Sequence, residues 1–120
     1  VILDVAHNEH GVQALLEQLA SLHYQRLHIV TGMVKDKDIE AVLKLLPTNA
    51  LYYFTQSHIP RALPVKELAE QAAAIGLEGH CFDDVNIALK EAIKNANHND
   101  LILVIGSVFL VAEVDRSTFQ

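Results

Sequence analysis

The sequence predicts an α/β fold: a Rossmann-like, mostly parallel sheet with helices on both faces, stacked in three layers. Three observations predict it. Short apolar runs alternate with stretches of helical period along the whole chain. The run Leu101–Ile105 is apolar at consecutive positions, as in strands covered on both faces. Each strand-like run is followed by enough chain for a helical crossover, the connection that parallel strands require.

The elements follow in order. Residues 1–4 read as a short buried strand ending in a polar residue. From Asn8, a fitting N-cap, the period changes, and Val12, Leu15, Leu16, Leu19 and Leu22 take helical spacing. Residues 27–30 form a second strand that closes at Thr31-Gly32. Lys35-Asp36-Lys37-Asp38 is a charged loop, and Asp38 can cap a helix carrying Ile39, Val42, Leu43 and Leu46, which Pro47 stops. Residues 50–54 make a third strand, and a polar loop covers residues 55–64. Val65, Leu68, Ala69, Ala72 and Ile75 outline a third helix closed by Gly76. Residues 80–82 suit a short fourth strand. Asp83 or Asp84 caps a helix carrying Ile87, Ala88, Ala92 and Ile93. The last strand ends at Gly106-Ser107, and residues 108–114 turn into a final helix.

Composition narrows the function classes. The chain has 120 residues, enough for one domain, with 51% hydrophobic and 20% charged residues, a globular balance rather than a disordered one. Its formal net charge is −6, and no basic stripe is present, which argues against a nucleic-acid partner. No apolar run approaches the roughly 18 residues that span a bilayer. The opening Val1-Ile2-Leu3 reads as the middle of a strand, without a basic leader region, so the expectation is a piece of a longer cytoplasmic protein. Cys81 is the single cysteine; it suits a reducing compartment, and its expected place is a small buried position. The scattered His23, His28, His58, His80 and His98 are expected on the surface or in loops.

In such sheets, ligands bind beyond the carboxyl ends of the strands. The polar residues collect there: residues 4–8, 31–38 and 55–61, and Gly106-Ser107. Asp4, His7 and Asn8 lie within five residues at a strand end and helix start. The acid can accept ribose hydroxyls or order a metal-bound water, and the imidazole can donate to a carboxylate. Equally, Asp4 can satisfy loop amides and Asn8 can simply cap a helix. His7 and His10 do not make the three or four convergent ligands of a metal site. Gly106 permits close backbone approach, and Ser107 can bind a carboxylate or phosphate, or merely cap. Arg61, between Pro60 and Pro64, can grip an anion or stay solvated. Lys37 belongs to a mixed-sign run of the kind that usually faces water.

Several chemistries lack their motifs. There is no G-x-x-x-x-G-K-[ST] phosphate loop, no G-x-G-x-x-G after the first strand, and no G-x-S-x-G elbow.

Four stretches together resemble one family. Leu3-Asp4-Val5-Ala6-His7-Asn8 is similar to the D-G/V-A-H-N-P box that opens the C-terminal domain of folylpolyglutamate synthase/dihydrofolate synthases and the wider Mur ligase family. Gly32 with Asp36-Lys37-Asp38 resembles the G-x3-DKD stretch, and Pro60-Arg61-Ala62-Leu63 the R-A loop. Residues 103–111 (LVIGSVFLV) resemble the V-x-G-S-x-Y/F-L-V ending. Two departures stand out. Glu9 replaces the usual proline, and the antiparallel segment that normally precedes the box is missing, as expected of a truncation.

The resemblance implies a C-terminal domain, residues 1–120, of a three-domain ATP-dependent ligase. Such a ligase joins L-glutamate to folate or dihydropteroate through an acyl phosphate. Asp4 and Asn8 would lie on the ATP side, and His7 and Ser107 would hold the incoming glutamate. Gly106, Lys37 and Arg61 would support them. No catalytic residue and no metal ligand is implied in this chain; ATP and Mg2+ would be held mainly by an N-terminal P-loop domain of the same chain. Two alternatives are a stand-alone module binding a small anion, and the same domain of a Mur ligase acting in cell-wall synthesis.

Overall fold

In a computed structural model, which describes residues 1–6, 8–35 and 39–118, five parallel strands form one sheet in the order β1-β5-β2-β3-β4. The strands are β1 (Ile2–Leu3), β2 (Leu27–Thr31), β3 (Leu51–Phe54), β4 (Gly79–Cys81) and β5 (Leu101–Ile105). The helices are α1 (Glu9–Leu19), α2 (Ile39–Leu45), α3 (Val65–Ala73), α4 (Val85–Asn95) and α5 (Val108–Ala112), followed by a 3-10 turn at Arg116–Thr118. This is the expected α/β sheet.

The consecutive apolar residues of the central strands are explained by their two-fold alternation. Ile29, Tyr52, Phe54, Leu103 and Ile105 face one side and pack with Val12 and Leu15 of α1, Val42 and Leu43 of α2, and Leu68 and Ala72 of α3. Val30, Tyr53, Ile102 and Val104 face the other side and pack with Val85, Ala88, Leu89 and Ala92 of α4 and Leu110 of α5. Helices therefore cover both faces. No helix among the described residues is long and apolar enough to cross a membrane.

Local chemistry sets the ends of the helices. Asn8 Oδ1 accepts from Gly11 N at 2.8 Å and caps α1, and Asp84 Oδ1 accepts from Asn86 N at 2.7 Å and caps α4. Gly76, at φ +90°, closes the turn after α3, where Leu77 N donates to Ala72 O at 2.9 Å. Asp38 lies outside the described residues. Three apolar expectations are corrected. Leu22 falls beyond α1 and is exposed, and Ile87 points outward from α4, whose buried stripe is Val85, Ala88, Leu89 and Ala92. Cys81 is exposed, because β4 is an edge strand whose three residues are all left uncovered.

His28 is also corrected: it is not a surface residue but is 0% exposed in β2. It takes an alternate position of an apolar strand, where a polar side chain survives only with its hydrogen bonds made. Nε2 lies 2.8 Å from Asp100 Oδ2 and Nδ1 lies 2.9 Å from the Tyr53 hydroxyl. With Asp100 ionised, Nε2–H donates to it, and in the neutral imidazole Nδ1 accepts from the Tyr53 O–H. Asp100 Oδ2 also accepts from Asn97 N at 3.0 Å. The Asn97 amide first, and the His28 bond second, hold the Asp100 carboxyl below the usual carboxylate range.

The sign of the pH effect follows. An aspartate titrates near pH 4 in an unfolded chain, so the contribution of Asp100 to stability is complete above about pH 5 and is lost as pH falls through its lower folded value. Urea midpoints measured from pH 7 to pH 2 should fall on the acid side, and Asp100→Asn should flatten that fall. An unchanged acid slope in the variant would contradict this account.

Candidate functional site

The sheet order puts β5 between β1 and β2. Chain leaves β1 and β2 toward the face of α1 and α2, but leaves β5 toward the opposite face, where Leu110 of α5 packs. A reversal of this kind opens a crevice at the carboxyl ends, the usual ligand position in open α/β sheets.

Backbone makes the floor of this edge. Beyond β1, Asp4 N donates to Val104 O at 3.0 Å, and Gly106 N donates to Ala6 O at 3.2 Å, so the chain after β1 stays joined to β5. Gly106 has φ +133°, in the region that favours glycine. A Cβ there would sit 1.9 Å from the Gly32 carbonyl oxygen. A Cβ on Gly32 would in turn lie 2.7 Å from the Thr55 carbonyl oxygen. The exits of β5, β2 and β3 thus touch backbone to backbone, which only glycines at these two positions allow.

The polar side chains around this floor each have a local partner. Asp4 Oδ1 accepts from Ala6 N at 2.8 Å, which turns the chain after β1. Ser107 Oγ accepts from Leu110 N at 3.0 Å and caps α5; the residue is 4% exposed. Asn8 caps α1 as described above. These three side chains thus serve local caps and turns, and those bonds also fix where they stand. Asp4 and Asn8 follow β1, Ser107 follows the adjacent β5, and the Ala6–Gly106 bond joins the two segments.

Arg61 comes to the same edge through the loop after β3. Lys35 N donates to Arg61 O at 2.8 Å and Leu63 N to Met33 O at 2.8 Å, around an antiparallel bridge between Val34 and Ala62. Arg61 therefore stands beside the chain leading from β2 into the charged run, and it is exposed. His7 and Lys37 lie outside the described residues. Among the described residues, no three His, Cys, Asp or Glu side chains could hold a metal ion. Concavities of about 360, 620 and 490 Å3 lie away from this edge, the largest at the amino ends of β3 and β4, and none is lined by Asp4, Asn8, Gly106, Ser107 or Arg61.

Sequence reasoning gave no individual role to two features of this edge. Thr31 and Thr55, at the exits of β2 and β3, are 0% exposed, and neither Oγ1 meets a hydrogen-bond partner among the described residues. A hydroxyl at the end of an apolar strand was the available signal. The second is Glu113, at the end of α5, which contacts His58; its partner is 55 residues away in sequence, so spacing carried no sign of it.

Gly106→Ala should destabilise the fold by at least about 1–3 kcal/mol, the usual cost of a side chain in a disfavoured backbone region, and the contact with Gly32 should add to it. Urea unfolding measures this. A variant as stable as the original would show that the strand exits separate without penalty.

Known proteins resemble this chain along most of its length. The family model described as "Mur ligase, glutamate ligase domain" matches residues 1–108. A probable bifunctional folylpolyglutamate synthase/dihydropteroate synthase of Halobacterium salinarum is 36% identical over 124 residues, which cover 94% of this chain and 14% of that protein. The dihydrofolate synthase/folylpolyglutamate synthase of Escherichia coli is 34% identical over 116 residues, covering 95% of this chain and 26% of that protein. A solved bifunctional folylpolyglutamate synthase/dihydrofolate synthase with Mn, AMPPNP and L-glutamate bound superposes with a TM-score of 0.85 at 31% identity, covering 98% of this chain and 29% of that one. The chain thus spans roughly a seventh to a quarter of the two curated relatives.

Proposed function

Since this chain belongs to the Mur ligase family, through its glutamate ligase domain, we propose that it is the C-terminal domain of an ATP-dependent folylpolyglutamate synthase/dihydrofolate synthase, a three-domain cytoplasmic protein. The reaction of the whole protein would run in two steps. A carboxylate of folate or dihydropteroate attacks the γ-phosphorus of ATP, giving an acyl phosphate and releasing ADP. The amine of L-glutamate then attacks the acyl carbon, the C–O bond to phosphate breaks, and an amide and inorganic phosphate leave, with the amine giving up a proton.

The observation that carries this reading is the meeting of Asp4, Asn8 and Ser107 at the joined exits of β1 and β5, in a chain that the glutamate ligase model matches from residue 1 to 108. The names of the relatives supply the folate class, and the solved relative holds AMPPNP, Mn and L-glutamate. In this reading Asp4 and Asn8 face ATP, and His7 and Ser107 grip the glutamate. Gly106 gives the floor its close approach, and Lys37 and Arg61 lie at the rim. In this reading Mg2+ accompanies the ATP phosphates on an N-terminal P-loop domain, and no step is assigned to a metal held here.

The physical case for a separate closing domain is the lability of the acyl phosphate. Water that reaches it competes with the amine, so a site completed only after substrates bind protects the intermediate. This domain by itself should then fold without catalysing ligation.

His7→Ala in the full-length protein should raise the L-glutamate requirement more than the ATP requirement, as initial rates at varied concentrations of each would report. An unchanged glutamate dependence would remove His7 from the amino-acid site. Absence of a G-x-x-x-x-G-K-[ST] sequence in the remainder of the open reading frame would sink the ligase reading as a whole.

A further inference from the structure

The loop after β3, residues 55–64, is tied on both flanks. On the β2 side, Arg61 and Met33 carbonyls accept from Lys35 and Leu63 amides at 2.8 Å. On the other side, His58 reaches the end of α5. Its backbone N–H donates to Glu113 Oε2 at 2.7 Å, and its Nδ1 lies 3.0 Å from Glu113 Oε1. One carboxylate thus accepts from the main chain of His58 through Oε2 and lies at ion-pair distance from its ring through Oε1, which makes no hydrogen bond among the described residues. A second carboxylate, Asp84 Oδ2, lies 4.0 Å from Nε2.

Glu113 is itself braced. Its carbonyl accepts from Asn86 Nδ2 at 2.9 Å, and Asn86 Oδ1 accepts from Asp115 N at 2.6 Å. These bonds fasten the end of α5 to the start of α4, whose cap is Asp84. At its other end, α5 begins at its cap Ser107, next to the Gly106 floor. A short helix of five residues, fixed at both ends, therefore links Ser107 to Glu113, and Glu113 links to the loop that carries Arg61.

We infer that His58 and Glu113 are a positioning pair that holds the Arg61 loop at a set distance from Ser107, so that the incoming amino acid meets both. This rests on the glutamate-ligase reading above. The His58 side chain is 58% exposed and that of Glu113 25%, so the contact between them adds little to overall stability. Its two-point geometry instead fixes one loop relative to one helix. Because the carboxylate at position 113 meets both the main chain and the ring of residue 58, removing the ring as well should cost little beyond the loss of the carboxylate alone.

The experiment uses the full-length protein in four forms: unaltered, His58→Ala, Glu113→Ala, and the double variant H58A/E113A. Initial rates are measured against L-glutamate and against ATP, and hydrogen exchange is followed at the amides of residues 58–63. Each single variant should raise the KM for L-glutamate about two- to five-fold, the equilibrium equivalent of an exposed pair, with kcat and the KM for ATP little changed. Exchange at residues 58–63 should quicken in both, and the double variant should match the more affected single variant in both readouts. Unchanged exchange in the single variants would overturn the tie. Faster exchange with an unchanged glutamate KM, or a double variant in which the two single effects on KM simply add, would overturn the positioning role. If the unaltered protein shows no glutamate-dependent ligation, the proposed function fails instead, and the exchange arm still decides whether the pair holds the loop.

Discussion

The candidate site depends on how closely the exits of β5, β2 and β3 approach one another. Gly106 and Gly32 let main chain meet main chain where a single methyl group would collide with a carbonyl oxygen. Parallel strands need this only at their carboxyl ends, where the chain must leave the sheet toward one face or the other. At β5 it leaves toward α5, and at β2 toward α2, so the two exits diverge directly above the contact. The glycines therefore fix the floor, and the capping side chains of Asp4, Asn8 and Ser107 are set around it by short local bonds.

That arrangement separates rigid from adjustable parts. The floor lies on strands 0% exposed along much of β2 and β5, where helices cover both faces. Such residues open only with the whole fold. The rim is built differently. Among the described residues, the loop carrying Arg61 is attached by main-chain bonds to the exit of β2 and through His58 to the end of α5. A domain that closes over a reactive intermediate needs this combination, because the floor must not shift while the rim must adjust to a second body.

The opposite edge of the sheet shows the cost of burying polarity without function. His28, Tyr53 and Asp100 satisfy one another near the amino end of β2, and Asn95 adds a 3.4 Å contact to the Tyr53 hydroxyl. No ligand role follows from this group. It exists because a histidine in a covered strand must have both ring nitrogens met. Thr31 and Thr55 are the converse, buried hydroxyls at the ligand edge whose oxygens find no partner among the described residues.

The sequence by itself determined the alternation of strands and helices, the coverage of both faces, and the edge where polar residues gather. These are legible because period, caps and glycines act within a few residues of one another: Asn8 to Gly11, Ser107 to Leu110, Gly76 to Ala73. The family motifs were legible for the same reason, each being a short contiguous stretch. Tertiary structure alone decided strand order, and with it which exits are neighbours. It put β4 at the edge and so exposed Cys81, buried His28 by inserting β5 beside β2, and joined His58 to Glu113. Those outcomes rest on contacts between residues tens of positions apart, and no local pattern encodes them, since they arise from the return of α4 across the sheet rather than from any side chain's own preference.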